Sequence, residues 1–203
     1  MATSPAVNPK DQYDQLTPEQ RRKLKETLTD PVLFSRRMLR AKPWAKQEEI
    51  LRSVMKHRRT YVKSCHASGK TFIASCAALS FLGGHTEAVV ITSAPTWDQV
   101  EKLLWGEIRS RLEVSRFPFP KSLNTELYLG PKRYAYGKST SVTKQDEGVK
   151  FQGTHATNVL IILDEAPGID PKIHEAIEGI MSAGNVHLLA IGNPTIGSGP
   201  FFD

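Results

Sequence analysis

From residue 60 onward, short apolar runs alternate with longer segments in which apolar residues recur every three or four positions. That alternation predicts an α/β domain with a mostly parallel central sheet flanked by helices, because strands buried on both faces read as apolar runs and their crossovers as amphipathic helices. Strands are expected at 60–63, 88–92, 159–163 and 186–191. Helices are expected at 71–82, closed by Gly83-Gly84, and at 171–180. A further helix over 95–113 would carry Trp97, Val100, Leu104, Ile108 and Leu112 on one stripe. Between 118 and 153 the chain is rich in Gly, Ser, Thr, Tyr and Lys, and two short antiparallel strands at 126–129 and 133–136 are its expected content.

The first 58 residues follow a different pattern. Residues 1–15 are polar, hold two prolines and have no period, as in a flexible tail. Thr17-Pro18-Glu19-Gln20 has a capping hydroxyl, proline at the first helical position and acceptors in the first turn, which start a helix. Asp30-Pro31 starts a second by the same logic, and 45–56, with Ile50, Leu51 and Val54 on one face, is a third. The expected organisation is a tail (1–15), a helical region (16–58) and a core (59–203).

Composition changes this picture little. Hydrophobic residues make up 39% and charged residues 24%, which excludes a disordered chain. No signal-peptide pattern opens the sequence, and no apolar run reaches the roughly 18 residues of a membrane span, so a cytosolic protein is the expectation. The two cysteines, Cys65 and Cys76, are expected to be reduced thiols. Charge is more informative. The net charge is +6, yet residues 1–63 hold 15 of the 27 Lys and Arg and 7 of the 21 Asp and Glu, so the basic excess is N-terminal. Arg21, Arg22, Arg36 and Arg37 either face nucleic-acid phosphates or are solvated helix faces.

Candidate chemistry begins where the first core strand ends. Ser64-Cys65-His66-Ala67-Ser68-Gly69-Lys70-Thr71 links a β-branched strand to a helix and has the form of a phosphate-binding loop. Backbone N–H groups and the helix dipole would face an anion. Lys70 would reach the β and γ phosphates of ATP, and Thr71 would offer its hydroxyl to Mg²⁺. Ser64 stands where the motif has its first glycine, which is expected to cost some backbone strain. His66 either touches a phosphate when protonated or makes a local hydrogen bond. Asp164 and Glu165 end the 159–163 strand, where the aspartate can hold Mg²⁺ through water and the glutamate can polarise the attacking water. Asn193 and Thr195, past the last strand, are placed to sense the γ phosphate, a plain Asn-Pro turn being the alternative. Gln47, after Pro43-Trp44, lies upstream of the loop as in motors that read adenine through a glutamine amide; Trp44 is a core candidate.

Taken in order, residues 64–71, Thr92-Ser93-Ala94-Pro95-Thr96-Trp97, Phe151-Gln152-Gly153-Thr154-His155-Ala156, Leu163-Asp164-Glu165-Ala166 and Gly192-Asn193-Pro194-Thr195 resemble the motifs of tailed-phage terminase large subunits. The resemblance covers about residues 43–203. It implies a P-loop NTPase of the ASCE class, in which the Walker B aspartate is followed directly by a catalytic glutamate. It also implies an ATP- and Mg²⁺-dependent motor that moves double-stranded DNA into a procapsid. Its implied partners are a portal protein, a terminase small subunit and further copies of itself in a ring, in the host cell cytoplasm. Many members carry an arginine early in the loop, where this chain has His66. Some insert one from a neighbouring subunit, from the segment where this chain has Lys150 and Gln152; Arg133, Arg116 and Arg111 are other candidates. The family's C-terminal nuclease domain would follow residue 203, so nuclease activity is expected only in a full-length parent. A helicase-like ATPase and a nucleotide-gated assembly module are the alternative functions.

Overall fold

The structure is a computed structural model that describes residues 13–140, 156–182, 184–195 and 197–202. Most of the expected tail, Lys150, and residues 151–155 of the Phe151 motif lie outside the described residues. Where the tail is described it is held rather than loose: the Arg21 guanidinium lies 5.2 Å from the centre of the Tyr13 ring and donates to the Asp14 carbonyl at 2.6 Å.

Among the described residues, the helices α1 (Pro18–Thr29), α2 (Pro31–Arg37) and α3 (Ala45–Lys56) precede the sheet. Their starts are set locally. Thr17 Oγ1 accepts from the Gln20 N–H at 3.2 Å while Gln20 Oε1 accepts from the Thr17 N–H at 2.8 Å, a reciprocal cap that satisfies two otherwise free donors. Asp30 Oδ1 accepts from the Val32 and Leu33 N–H groups in the same way for α2.

Among the described residues six strands follow: β1 (Arg59–Lys63), β2 (Ala88–Ala94), β3 (Glu126–Gly130), β4 (Arg133–Ser139), β5 (Asn158–Leu163) and β6 (Asn185–Gly192). They form one sheet in the order β1-β6-β5-β2-β4-β3, parallel throughout except for the antiparallel β3–β4 pair. That pair is the expected one, but it is not a separate ribbon, because β4 joins β2 and so extends the sheet. The last strand, β6, is inserted between β1 and β5. Alternate residues of each strand face opposite layers. Val90, Leu160, Ile162, Leu189 and Ile191 pack with the N-terminal helices and with α4 (Lys70–Gly84) and α5 (Trp105–Val114). Val89, Ile91, Ile161, Leu163 and Leu188 pack with Ile173, Ile177 and Met181 of α6 (Pro171–Met181).

Two expectations are corrected here. Gly83 and Gly84 do not close their helix; they are its last helical residues, and His85 caps it. Their reason is space: a side chain at Gly83 would overlap the Phe34 ring, and one at Gly84 would lie 2.6 Å from the Leu28 carbonyl oxygen. The helix expected over 95–113 is entered through a π-helical stretch, Gln99–Leu104. Its wider turn changes the helical period and breaks the simple stripe. Val100, Leu104 and Ile108 are buried, Trp97 is 44% exposed, and Trp105 fills the core with its Nε1–H on Thr92 Oγ1 at 2.8 Å.

The helical region and the sheet share one core through Phe34, which is fully buried against Gly83 and the rings of Phe117 and Phe119. Phe34→Ala should cost about 3–5 kcal/mol of unfolding free energy, read from urea titrations. A loss below about 1 kcal/mol, the size of an average substitution's effect, would show that the two regions are energetically separate.

Candidate active site

Strand β1 runs directly into the loop 64–71, whose path is set by two left-handed residues, Ala67 (φ 58°) and Gly69 (φ 79°). Ser64 is not among the residues with positive φ, which corrects the expected strain: its side chain is accommodated without cost to the backbone, and the left-handed non-glycine position is Ala67. The Ser64 hydroxyl makes a 2.5 Å hydrogen bond with the Ser68 hydroxyl, and Ser68 also donates to the Cys65 carbonyl at 3.0 Å. Lys70 is buried, and its ammonium donates to the Cys65 and Ser64 carbonyls at 2.7 and 3.3 Å. Two of its three N–H groups are thus spent on holding it over the loop. His66 is exposed, as is Cys65. Cys76 is a free thiol whose burial pushes its pKa up to about 12.

The acidic pair reaches the loop from two strands away. Asp164 is 3% exposed; its Oδ2 accepts from Thr71 Oγ1 at 3.3 Å and its Oδ1 from the Glu165 N–H at 3.0 Å. Burial raises its pKa to about 6, with a further push from the Glu165 charge, while the Glu165 N–H, Thr71 and Lys70 pull the other way. A buried carboxylate with that balance gains from a cation, and with the Thr71 hydroxyl beside it the donor set is all oxygen, which suits Mg²⁺. Glu165 sits in the left-handed region (φ 49°) and is partly exposed. For a non-glycine residue that conformation persists only where the surroundings impose it.

Strand β6 brings the third element. Gly192 pairs with Lys63, and the Ser64 N–H donates to the Gly192 carbonyl at 3.1 Å, so Asn193 leaves the sheet beside the loop and between it and the acidic pair. Asn193 is partly exposed and Thr195 exposed, the two joined by a 2.7 Å hydrogen bond from the Thr195 N–H to the Asn193 carbonyl. Gln47 is 5% exposed, with its amide Nε2 donating to the Ser68 and Gly69 carbonyls at 3.3 and 3.4 Å. Trp44 is not core: it is 57% exposed because it precedes the first turn of α3. A cavity of about 490 Å³ opens between α3, β1 and the loop, lined by Trp44, Gln47, Ile50, Tyr61, Val62 and Gly69 among others. Sequence reasoning missed Tyr61 and Ile50 as lining residues. Ile50 carried the signature of a core helix face, and Tyr61 that of a strand.

Arg133 donates to the Leu82 and Gly83 carbonyls at the end of α4, at the start of β4, whereas the loop lies at the strands' C-terminal ends. Arg111 pairs with Glu107 at 3.3 Å and lies 5.6 Å from the centre of the Phe72 ring. The Arg116 N–H donates to the Met38 carbonyl.

No family model matches the chain. In sequence it is 28% identical over 168 residues to the "Probable terminase, large subunit" of Enterobacteria phage P7; the match takes in 79% of this chain, which spans about a third (34%) of that relative. In structure it is similar to the large terminase ATPase domain of Thermus phage P74-26, with 24% identity and a TM-score of 0.55, over 77% of this chain and 67% of that one. The large terminase of a thermophilic bacteriophage in complex with ADP matches with 14% identity and a TM-score of 0.58, over 74% of this chain and 39% of that one. For the HK97 bacteriophage large terminase the values are 15% and 0.56, over 78% and 35%. With β6 inserted in a mostly parallel sheet and the loop at the strand ends, the chain is similar in sequence to a phage large terminase and has the fold of a large-terminase ATPase domain.

Proposed function

We propose that this chain hydrolyses ATP as the motor unit of a phage terminase large subunit, driving double-stranded DNA into a procapsid. The observation that carries the reading is the meeting of the Thr71 hydroxyl and the buried Asp164 carboxylate at 3.3 Å beside the loop, with Glu165 next in the chain. The loop N–H groups and the third Lys70 N–H take the β and γ phosphates. Thr71 and Asp164 would hold Mg²⁺, which when bound offsets charge on the phosphate oxygens. Glu165 accepts a proton from water as its oxygen bonds to the γ phosphorus; the bond from that phosphorus to the bridging oxygen breaks, leaving ADP and inorganic phosphate. Gln47 and the adjoining cavity receive the adenine, and Asn193 and Thr195 sense the γ phosphate.

Duplex DNA, a portal protein, a terminase small subunit and a ring of like subunits are the partners of this reading, in the host cytoplasm. Among the described residues no helix is long and apolar enough to cross a membrane. The N-terminal basic clusters favour DNA by charge, though several are tied within the fold: Arg36 to Glu48, Arg37 to Thr27 at 2.9 Å, and Arg22 to Glu26 at 3.9 Å.

The test combines Mg²⁺-dependent ATP turnover with duplex binding across salt. Turnover by the chain, and a steep fall of duplex affinity with salt that flattens after charge reversal at Arg21, Arg22, Arg36 and Arg37, are expected. The log–log slope should shrink by about 0.9 for each phosphate that is no longer neutralised. An unchanged slope would assign those arginines to their internal partners. Strand separation by the chain would favour the helicase-like alternative.

A further inference from the structure

We infer that Gly192 is the positioning residue that links the phosphate loop to Glu165, an inference resting on the proposed role of Glu165 as general base. Gly192 ends β6, the strand inserted between the loop's strand and the strand of the acidic pair. Toward β1, its carbonyl accepts the 3.1 Å hydrogen bond from the N–H of Ser64, the first residue of the loop. Toward β5, its Cα faces the turn that follows Glu165: a Cβ at 192 would overlap Cδ of Pro167 and lie 3.2 Å from the Ala166 nitrogen. The Pro167 ring and the Ala166 backbone nitrogen of the acid turn therefore lie directly against Gly192, which has no side chain to hold them off.

Gly192 is not among the glycines with positive φ, so its backbone suits any residue and only the space requires glycine. The turn it touches begins at Glu165, whose backbone is left-handed. That turn is closed by hydrogen bonds from the Gly168 N–H to the Glu165 carbonyl at 3.0 Å and from the Ile169 N–H to the Ala166 carbonyl at 3.2 Å. Its far side rests on Pro95, where a Cβ at Gly168 would lie 2.9 Å from the proline Cγ. Held between Gly192 and Pro95, and stiffened by the ring of Pro167, the turn transmits a displacement instead of absorbing it. Movement of Ser64 as the loop closes on phosphate pulls on the Gly192 carbonyl, and Pro167 and Glu165 follow. Asn193 and Thr195 lie beyond this contact, so the link runs through backbone and needs neither side chain.

The experiment compares Gly192→Ala, Pro167→Ala and the double variant in the 203-residue chain. The readouts are ATP affinity, turnover, melting temperature and amide exchange at Gly168 and Ile169. For Gly192→Ala, affinity should stay within about threefold, turnover should fall by about tenfold or more, and exchange at the two amides should speed up, since displacements near 1 Å can cost about 100-fold in rate. Pro167→Ala removes the ring atoms that the new Cβ meets, so the double variant should recover both turnover and exchange to the level of Pro167→Ala alone. Unchanged turnover and exchange in Gly192→Ala would overturn the inference. So would a double variant no better than Gly192→Ala, including the case where the single variant fails to fold and the double does too. A wild-type chain that binds ATP without turnover would instead defeat the role of Glu165, while the exchange measurements would still decide whether Gly192 holds the turn.

Discussion

Glu165→Gln should leave ATP bound and lower its hydrolysis by about 10²–10⁴-fold, the usual contribution of a positioned general base. The amide keeps the size and the left-handed backbone of Glu165 (φ 49°) but removes the proton acceptor. Asp164 does not take over: it is buried and held by Thr71 Oγ1 and by the Glu165 N–H. Single-turnover hydrolysis beside equilibrium nucleotide binding makes the measurement, because it separates chemistry from product release. Unimpaired turnover would move the general base elsewhere. A matched loss of binding and turnover would mean that the variant disturbs the loop instead.

Lys70→Ala is expected to have the second-largest effect, and on affinity. The ammonium is buried and already oriented by the Ser64 and Cys65 carbonyls, so it meets a phosphate without first being ordered. Hydrogen bonds to charged groups contribute about 1.5–3 kcal/mol, so ATP affinity should fall by about 10- to 150-fold, measured by calorimetry or a fluorescent nucleotide. The loss of melting temperature should be small next to that of Phe34→Ala, since Lys70 anchors a loop and Phe34 fills the core. Retained affinity would place the nucleotide's main contacts in the cavity beside α3 and not on the loop.

What the sequence disclosed was governed by local rules. Thr17 and Asp30 cap helices with their own side chains, and the apolar run 159–163 is a strand because little else buries such a run on both faces. Ser64 to Thr71 and the Asp164–Glu165 pair stood out by their order at two strand ends, and the fold brings Thr71 and Asp164 to 3.3 Å of each other. The rest depends on neighbours distant in sequence. Gly83 and Gly84 look like a helix stop until Phe34 and the Leu28 carbonyl are seen against them. The π-helical entry at Gln99–Leu104 and the burial of Trp105 in place of Trp97 come from packing onto β2 and β4. Ser64 read as a strained substitution because the motif has glycine there, whereas the curl of the loop is taken up by Ala67 and Gly69. Gly192 carried no signal beyond standing first in a Gly-Asn-Pro-Thr turn; its crowding by Pro167 exists only in three dimensions.

The place of β6 also sets when this site comes into being during synthesis. Arg59 through Lys63 pair with Leu188 through Gly192, so the strand that carries the phosphate loop stays unpaired until residues 188–192 have been made. Parallel pairings this remote in sequence form late and slowly. Until they form, β1 has no neighbour and the loop no acidic pair beside it. On the proposed reading of the loop, nucleotide capture by nascent or refolding protein would report that β6 has closed the sheet beside β1.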